Sequence, residues 1–237
     1  MATEVFLHVG THKTGTTALQ NFLTVNWRTL LDNGILVPVS GQIDNAGGHH
    51  NIAWELNGDA RYQQEYGTLD DLCDEISRST CHTVVVSSED FEYLYDSPDV
   101  LHDLNRRLSE VGCTVKVLIM LRPLRQYVPS LYAELKKHGL KYQFETFCKQ
   151  MLNQEAFVMH DVWRFTVRYK LLAKGFVRVF GRANVQYCNY TRPIEAKFMK
   201  IIGHEHLMNV LQPVPFANVR VRQNDFNTRQ DFKRRIY

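Results

Sequence analysis

The chain has 237 residues, 44% of them hydrophobic and 22% charged, with a formal net charge of +3. That balance is ordinary for a soluble globular protein, and the length fits a single domain spanning 1–237. The mild positive charge suits an anionic small ligand and is too weak to argue for nucleic acid. Five widely spaced cysteines with no C-x-x-C read as buried thiols in a reducing compartment, not as a disulfide framework or a zinc site. The glycine loop within the first twenty residues leaves no room for a signal peptide, and no stretch approaches about 18 consecutive apolar residues. A cytoplasmic chain without stable membrane insertion is expected.

In chain order, residues 4–9 (EVFLHV) form an apolar run ending at Gly10, the pattern of a buried strand that packs His8. Beyond Gly15 the residues Leu19, Phe22, Leu23, Trp27, Leu30 and Leu31 recur at helical spacing on one face. Gly10 and Gly15 have the spacing of a phosphate loop, but a Walker A loop puts its lysine directly after the second glycine. Here Thr16 follows Gly15, and Lys13 lies inside the loop, next to His12. Strand, glycine turn and helix together aim backbone N–H groups and a helix N-terminus at an anion. The loop adds the hydroxyls of Thr14, Thr16 and Thr17 and the Lys13 cation.

Residues 41–68 read as a long, polar, glycine-containing loop of the kind that is functional or disordered in compact domains. It carries His49, His50, Trp54, Tyr62 and Tyr66, aromatics compatible with stacking on a sugar or a phenol. A helix is expected at 69–79, then a strand at 82–88 leading into Ser87-Ser88-Glu89. A helix at 98–111 follows, with Ser97 as N-cap and Pro98 at its first position. The strand at 114–121 ends at Arg122, and a helical pattern covers 124–138. Pro129 would break a helix begun at Pro123, so the helix is expected to start near Pro129 with Ser130 in its first turn. A helix at 161–174 and a strand at 184–190 complete the pattern. Alternating strands and helices predict an α/β fold, a mainly parallel sheet flanked by helices in a P-loop-type three-layer sandwich. Ligands of such sheets bind at the carboxyl ends of the strands, where the loop, Glu89 and Arg122 all fall.

The stretch GTHKTGTTALQ resembles the 5′-phosphosulfate-binding loop of sulfotransferases that use 3′-phosphoadenosine 5′-phosphosulfate (PAPS). Their K-[ST]-G-[ST]-[ST] is matched by Lys13 to Thr17. A second motif of that family, an arginine closing a strand with a serine eight residues on, is matched by Arg122 and Ser130 in LRPLRQYVPSLY, with Tyr132 following. VVVSSEDF and FGRANVQYCNY also resemble segments of bacterial-type members, and the likeness runs over roughly residues 4–203, specific in the two donor motifs alone.

The resemblance implies transfer of a sulfuryl group from PAPS to a hydroxyl or amine, leaving adenosine 3′,5′-bisphosphate (PAP). Lys13 would serve the leaving group, and Thr14, Gly15, Thr16 and Thr17 would hold the 5′-phosphate. Arg122 and Ser130 would hold the 3′-phosphate, with Arg125 a weaker second candidate. The base would be Glu89 or His50. No metal is called for, since a sulfuryl group carries less charge than a phosphoryl group. The acceptor would be a carbohydrate, a lipid or a small metabolite docking against 41–68. The basic stretch at 213–237 reads as a solvated tail, or as a flap whose Arg220 or Arg222 reaches the nucleotide. Two alternatives remain open: a Mg-dependent P-loop kinase with an aberrant loop and Asp90 as its acid, or a non-catalytic nucleotide-binding protein.

Overall fold

The first strand of the chain becomes the middle of the sheet. In the computed structural model, which describes residues 2–43, 47–159 and 163–214, β1 (Thr3–Gly10) runs into the glycine loop. Then come α1 (Thr16–Val25), α2 (Trp27–Asp32), β2 (Ile35–Leu36), α3 (His50–Asn57), α4 (Leu69–Arg78) and β3 (Thr83–Ser88). A 3₁₀ segment at Glu89–Asp96 leads to α5 (Pro98–Glu110), β4 (Cys113–Leu121), α6 (Leu124–Lys137) and α7 (Phe144–Gln154). The chain continues through β5 (Ala156–Met159), β6 (Trp163–Thr166), α8 (Tyr169–Phe180), β7 (Val185–Asn189) and α9 (Ile194–Ile201).

The main sheet has the order β2-β3-β1-β4-β7, and every pairing in it is parallel. Parallel strands need both faces covered, and β1 shows how the sequence achieves this. Successive side chains point to opposite faces, so Val5, Leu7 and Val9 pack with α3, α4, α5 and α8, while Phe6 packs with α1 and α9. Helix, sheet and helix form the three layers. A third apolar cluster joins α6 and α7 to the antiparallel β5–β6 hairpin, and this lobe leans on the end of the sheet that carries the loop. All five cysteines are buried free thiols.

Several expectations need correction. The helix after Gly15 is two helices, because Asn26 ends α1 and spends its side-chain amide on Phe22 O (2.9 Å) and Gln212 O (3.0 Å). Trp27 and Leu31, placed on the same apolar face as Leu30, lie on the exposed side of α2. The supposed loop 41–68 contains α3, whose Ile52 and Ala53 are wholly buried. Its polar residues suggested a loop, yet buried Asn51 bonds Gln63 O and Gly67 O at 2.8 Å and accepts from Gln63 N at 2.9 Å. The expected helix at 161–174 is strand β6 followed by α8, because Trp163, Phe165 and neighbouring β-branched residues favour a pleated surface. α6 does not wait for Pro129. It starts at Leu124 and runs through that proline, so Ser130 sits in its second turn. Ser97 does occupy the N-cap of α5 with Pro98 next, but its side chain makes no cap bond. Residues 215–237, including Arg220 and Arg222, lie outside the described residues.

Candidate functional site

The loop between β1 and α1 closes on itself through short polar contacts. Thr11 donates from its amide (3.1 Å) and its hydroxyl (3.2 Å) to Met120 O, tying the loop to β4. Thr14 is wholly buried and its hydroxyl donates to Thr11 O at 2.6 Å. Its proton is therefore committed inside the loop. A side chain on Gly10 would put its Cβ 2.7 Å from Thr16 Oγ1, so only glycine allows this close approach. Gly15 caps α1 at φ 81°, and a Cβ there would also strike the Tyr190 ring at 2.8 Å. Lys13 itself adopts φ 66°, a left-handed conformation that costs a residue with a side chain on the order of 1 kcal/mol. Thr17 is exposed at the start of α1, whose first N–H groups face the loop.

Arg122 is where the second motif meets the first. Its Nη1 donates to Ser130 Oγ at 3.1 Å and to Lys13 O at 3.0 Å. Its own carbonyl accepts from the Tyr169 hydroxyl at 2.8 Å, and its guanidinium lies 5.6 Å from the centre of the Tyr190 ring. Burial lowers its pKa, so an anion arriving here would meet an under-solvated cation. Arg125 is exposed on α6, away from these bonds. Lys13 Nζ reaches across to α6 and pairs with Glu134 Oε2 at 2.9 Å. Burial opposes ionisation of Glu134, but Lys13 and Lys137 outweigh it and draw the carboxyl down to about 2.

On the other side of the loop, Asp90 stands between two histidines. His12 Nε2 and His50 Nδ1 each lie 3.6 Å from one of its oxygens, and Trp54 Nε1 donates to it at 2.7 Å. His50 Nδ1 also lies 3.0 Å from Ser88 Oγ. The His12 amide donates to buried Glu92 at 3.2 Å. Burial works against protonating His12, but Glu92 and Asp90 prevail and push it up to about 9. His50 is likewise raised, against its burial, by Asp90 and Glu89. Burial alone would raise Asp90, yet His50, His12 and Arg61 bring it down to about 2. Glu92 goes the other way, its burial lifting the carboxyl despite His12.

Glu89, at the end of β3, accepts from Gln20 Nε2 at 3.2 Å. Trp54 is buried, stacked with His50 and covered by the Arg61 guanidinium at 4.7 Å, so it is packing and not the open platform that the sequence suggested. His49 is structural: Nδ1 accepts from Ser87 N at 3.0 Å and Nε2 donates to Pro38 O at 2.9 Å. His8 is buried as expected, with Ser87 Oγ 2.8 Å from Nδ1.

Six buried side-chain polar atoms among the described residues have no hydrogen-bond partner: His8 Nε2, His12 Nδ1, Thr16 Oγ1, Glu92 Oε1, Arg122 Nε and Tyr127 Oη. Buried polar groups are nearly always paired, and exceptions mark functional sites or bound ligands and waters. Four of the six residues belong to β1, its loop, the first position of α1, or the arginine that holds the loop, and Glu92 bonds the loop at His12.

A crystal structure of a sulfotransferase from Alicyclobacillus acidocaldarius matches this architecture with a TM-score of 0.53 at 15% identity, over 99% of this chain and 91% of that one. The chain has a sulfotransferase-like fold. A structure from the PezAT toxin–antitoxin system of Streptococcus pneumoniae also aligns, at 13% identity over 99% of this chain and 86% of that one, but its TM-score of 0.39 carries no argument. Neither a family model nor a curated sequence matches the chain.

Within the sulfotransferase-like fold, the sequence-derived residues fall into two groups. Lys13, Gly15, Thr16, Arg122 and Ser130 converge at the ends of β1 and β4, whereas His50 and Glu89 gather at the end of β3. Sequence reasoning missed Tyr190 and Glu134 as neighbours of the loop, and the bridging of His12 and His50 by Asp90. Tyr190 directly follows a strand, which was a readable signal. Glu134 had one as well, since it lies four residues beyond Ser130 and thus on the same helix face.

Proposed function

We propose that the chain is a sulfotransferase that moves a sulfuryl group from PAPS to a hydroxyl or amine of an acceptor. The observation that carries this reading is the pair of hydrogen bonds from Arg122 Nη1, to Ser130 Oγ and to the loop carbonyl of Lys13. Two motifs that resemble the two ends of one donor site thereby share one guanidinium. The unpartnered Thr16 hydroxyl and Arg122 Nε support an anionic ligand at the same place.

In the reaction the acceptor oxygen or nitrogen attacks sulfur while the bond from sulfur to the donor's 5′-phosphate oxygen breaks. The electron pair of that bond stays on the phosphate of PAP. Lys13, turned from Glu134, offsets the charge that grows there, and the loop amides, Thr16 and Thr17 hold the phosphate. Arg122 and Ser130 take the 3′-phosphate through charge-assisted hydrogen bonds. The acceptor's proton passes to His50. Its Nδ1 is engaged by Ser88 and Asp90, which leaves Nε2 beside Gly48 and Gln20 as the basic atom. Glu89, held by Gln20 on the same side, supplies negative charge that favours the resulting imidazolium. The acceptor, a sugar, lipid or small metabolite, approaches along α3 and the segment around it. A magnesium-dependent kinase fits less well, because the oxygens of Asp90 face Trp54 Nε1 and two imidazoles.

Thermal unfolding with PAP, and separately with ATP and Mg²⁺, tests the reading. A ligand at a hundred times its Kd adds about 2.7 kcal/mol, roughly 5–10 °C in Tm for a domain of this size. A rise with PAP in the presence of a chelator is expected. A rise with ATP–Mg²⁺ alone would overturn the donor assignment and favour a kinase.

A further inference from the structure

Helix α6 presents two polar side chains to the loop, one turn apart. Ser130 meets Arg122 at 3.1 Å, and Glu134 meets Lys13 at 2.9 Å. Lys13 therefore points at an anion supplied by the protein itself. Its side chain and that of Glu134 are each only 29% exposed, so the pair is sheltered without being sealed from water. The left-handed backbone at Lys13 and the Arg122 bond to its carbonyl fix where that side chain starts. Glu134 is itself held by Lys137 at 3.1 Å from the following turn. The groups facing the pair are Lys137 on α6 itself, the His138 imidazole at 3.7 Å from Glu134, and the Arg122 guanidinium at the end of β4.

We propose that Glu134 is a specificity-determining residue of the donor site, an internal anion that occupies Lys13 until the 5′-phosphosulfate end of the donor displaces it. The idea rests on the PAPS reading above and deepens it. An adenine nucleotide that engages only Arg122 and Ser130 leaves the Lys13–Glu134 pair closed and gains nothing from the loop lysine. A ligand with a second anionic group on the loop exchanges one carboxylate for its own oxygens. The exchange is feasible because a partly exposed ion pair is weak, whereas a ligand on the loop also gains its backbone N–H donors. The loop lysine is in this way reserved for a ligand anionic at both ends.

Calorimetric titration of the full chain with PAP and with adenosine 3′-monophosphate tests the inference, using Glu134→Gln, Lys13→Met and the double variant. Glutamine keeps the shape and removes the charge, and a partly exposed position tolerates it. PAP should bind Glu134→Gln about threefold more tightly than the unaltered chain, the scale of one exposed ion pair. Adenosine 3′-monophosphate, which has no 5′-phosphate for Lys13, should gain less. The gain for PAP should vanish in the Lys13→Met background, the coupling that a double-mutant cycle isolates. No gain with PAP, a loss, or an equal gain for both ligands that survives Lys13→Met would overturn the role of Glu134. Failure of the unaltered chain to bind PAP at all would overturn the donor reading and this inference with it. Binding of PAP without the predicted gain overturns only the inference.

Discussion

Thr16 shows how a single side chain records a missing partner. It is 4% exposed, its hydroxyl has no hydrogen bond, and it stands opposite the glycine whose bareness lets the loop close. An unsatisfied buried polar group costs about 1–3 kcal/mol, a cost that an isosteric apolar replacement removes. Thr16→Val should accordingly raise the stability of the ligand-free protein by about 1 kcal/mol, measured by urea unfolding. The same change should weaken PAP by about tenfold, the worth of a hydrogen bond to a charged oxygen. Stability and ligand affinity moving in opposite directions is the expected outcome. Loss of both would mean that the hydroxyl has a structural partner, and an unchanged affinity would remove it from the phosphate site.

At the scale of elements, the 3₁₀ segment Glu89–Asp96 joins the two halves of the site. It leaves β3 with Glu89 facing Gln20 of α1, and its next residue, Asp90, lies between His12 of the loop and His50 of α3. A base must be neutral to accept a proton, so turnover should rise with pH through the elevated pKa of His50. Asp90→Asn removes a carboxylate that favours the imidazolium. The rising limb of kcat against pH should then shift to lower pH, since removing the neighbouring charge removes what raised the imidazole. A limb that stays in place would exclude His50 as the titrating base.

The elements differ in how plainly the sequence announces them. β1, β3 and β4 were readable because an inner parallel strand is buried on both faces and so appears as a continuous apolar run, as TVKVLIML does in β4; β7 lies at the sheet edge, with only Val185 and Cys188 buried. α3 was not, because two of its five buried residues are His50 and Asn51, whose polarity is satisfied by partners far along the chain. The hairpin β5–β6 was missed because its strands are four residues long, too short for a period of two to stand out against the helix beyond. The glycine loop and the spacing of Arg122 to Ser130 were legible as local patterns. The Asp90 bridge was not, since it arises only when residues from three elements fold together.

For the whole molecule, buried histidines of opposite character shape stability against pH. His8 and His49 are held neutral by burial, with pKa values lowered from 6.5 to about 3 and about 4. Their unfolded forms take up protons more readily, so stability falls as pH drops below 6.5. His12 is raised from 6.5 to about 9, so what it contributes is complete below pH 6.5 and lost as pH rises toward 9. Tm measured between pH 4 and 9 should therefore peak near 6.5, and His12→Gln should flatten the alkaline side while leaving the acid side. A Tm that climbs steadily from pH 7 to 9 in the unaltered protein would mean that His12 carries no charge in the folded state.

The position of β1 has a consequence for how the chain is made. Val5 pairs with Val84 on one side and Val115 on the other, so both neighbours of the central strand are encoded far downstream. With translation at about 5–20 residues per second, roughly 5–20 s separate the synthesis of this strand from that of β4. Both edges of this apolar ribbon stay open until β3 is made, and the edge that pairs with β4 stays open for the whole interval, the form most prone to wrong pairing. The strand that organises the finished sheet and ends in the glycine loop is thus made early and paired late.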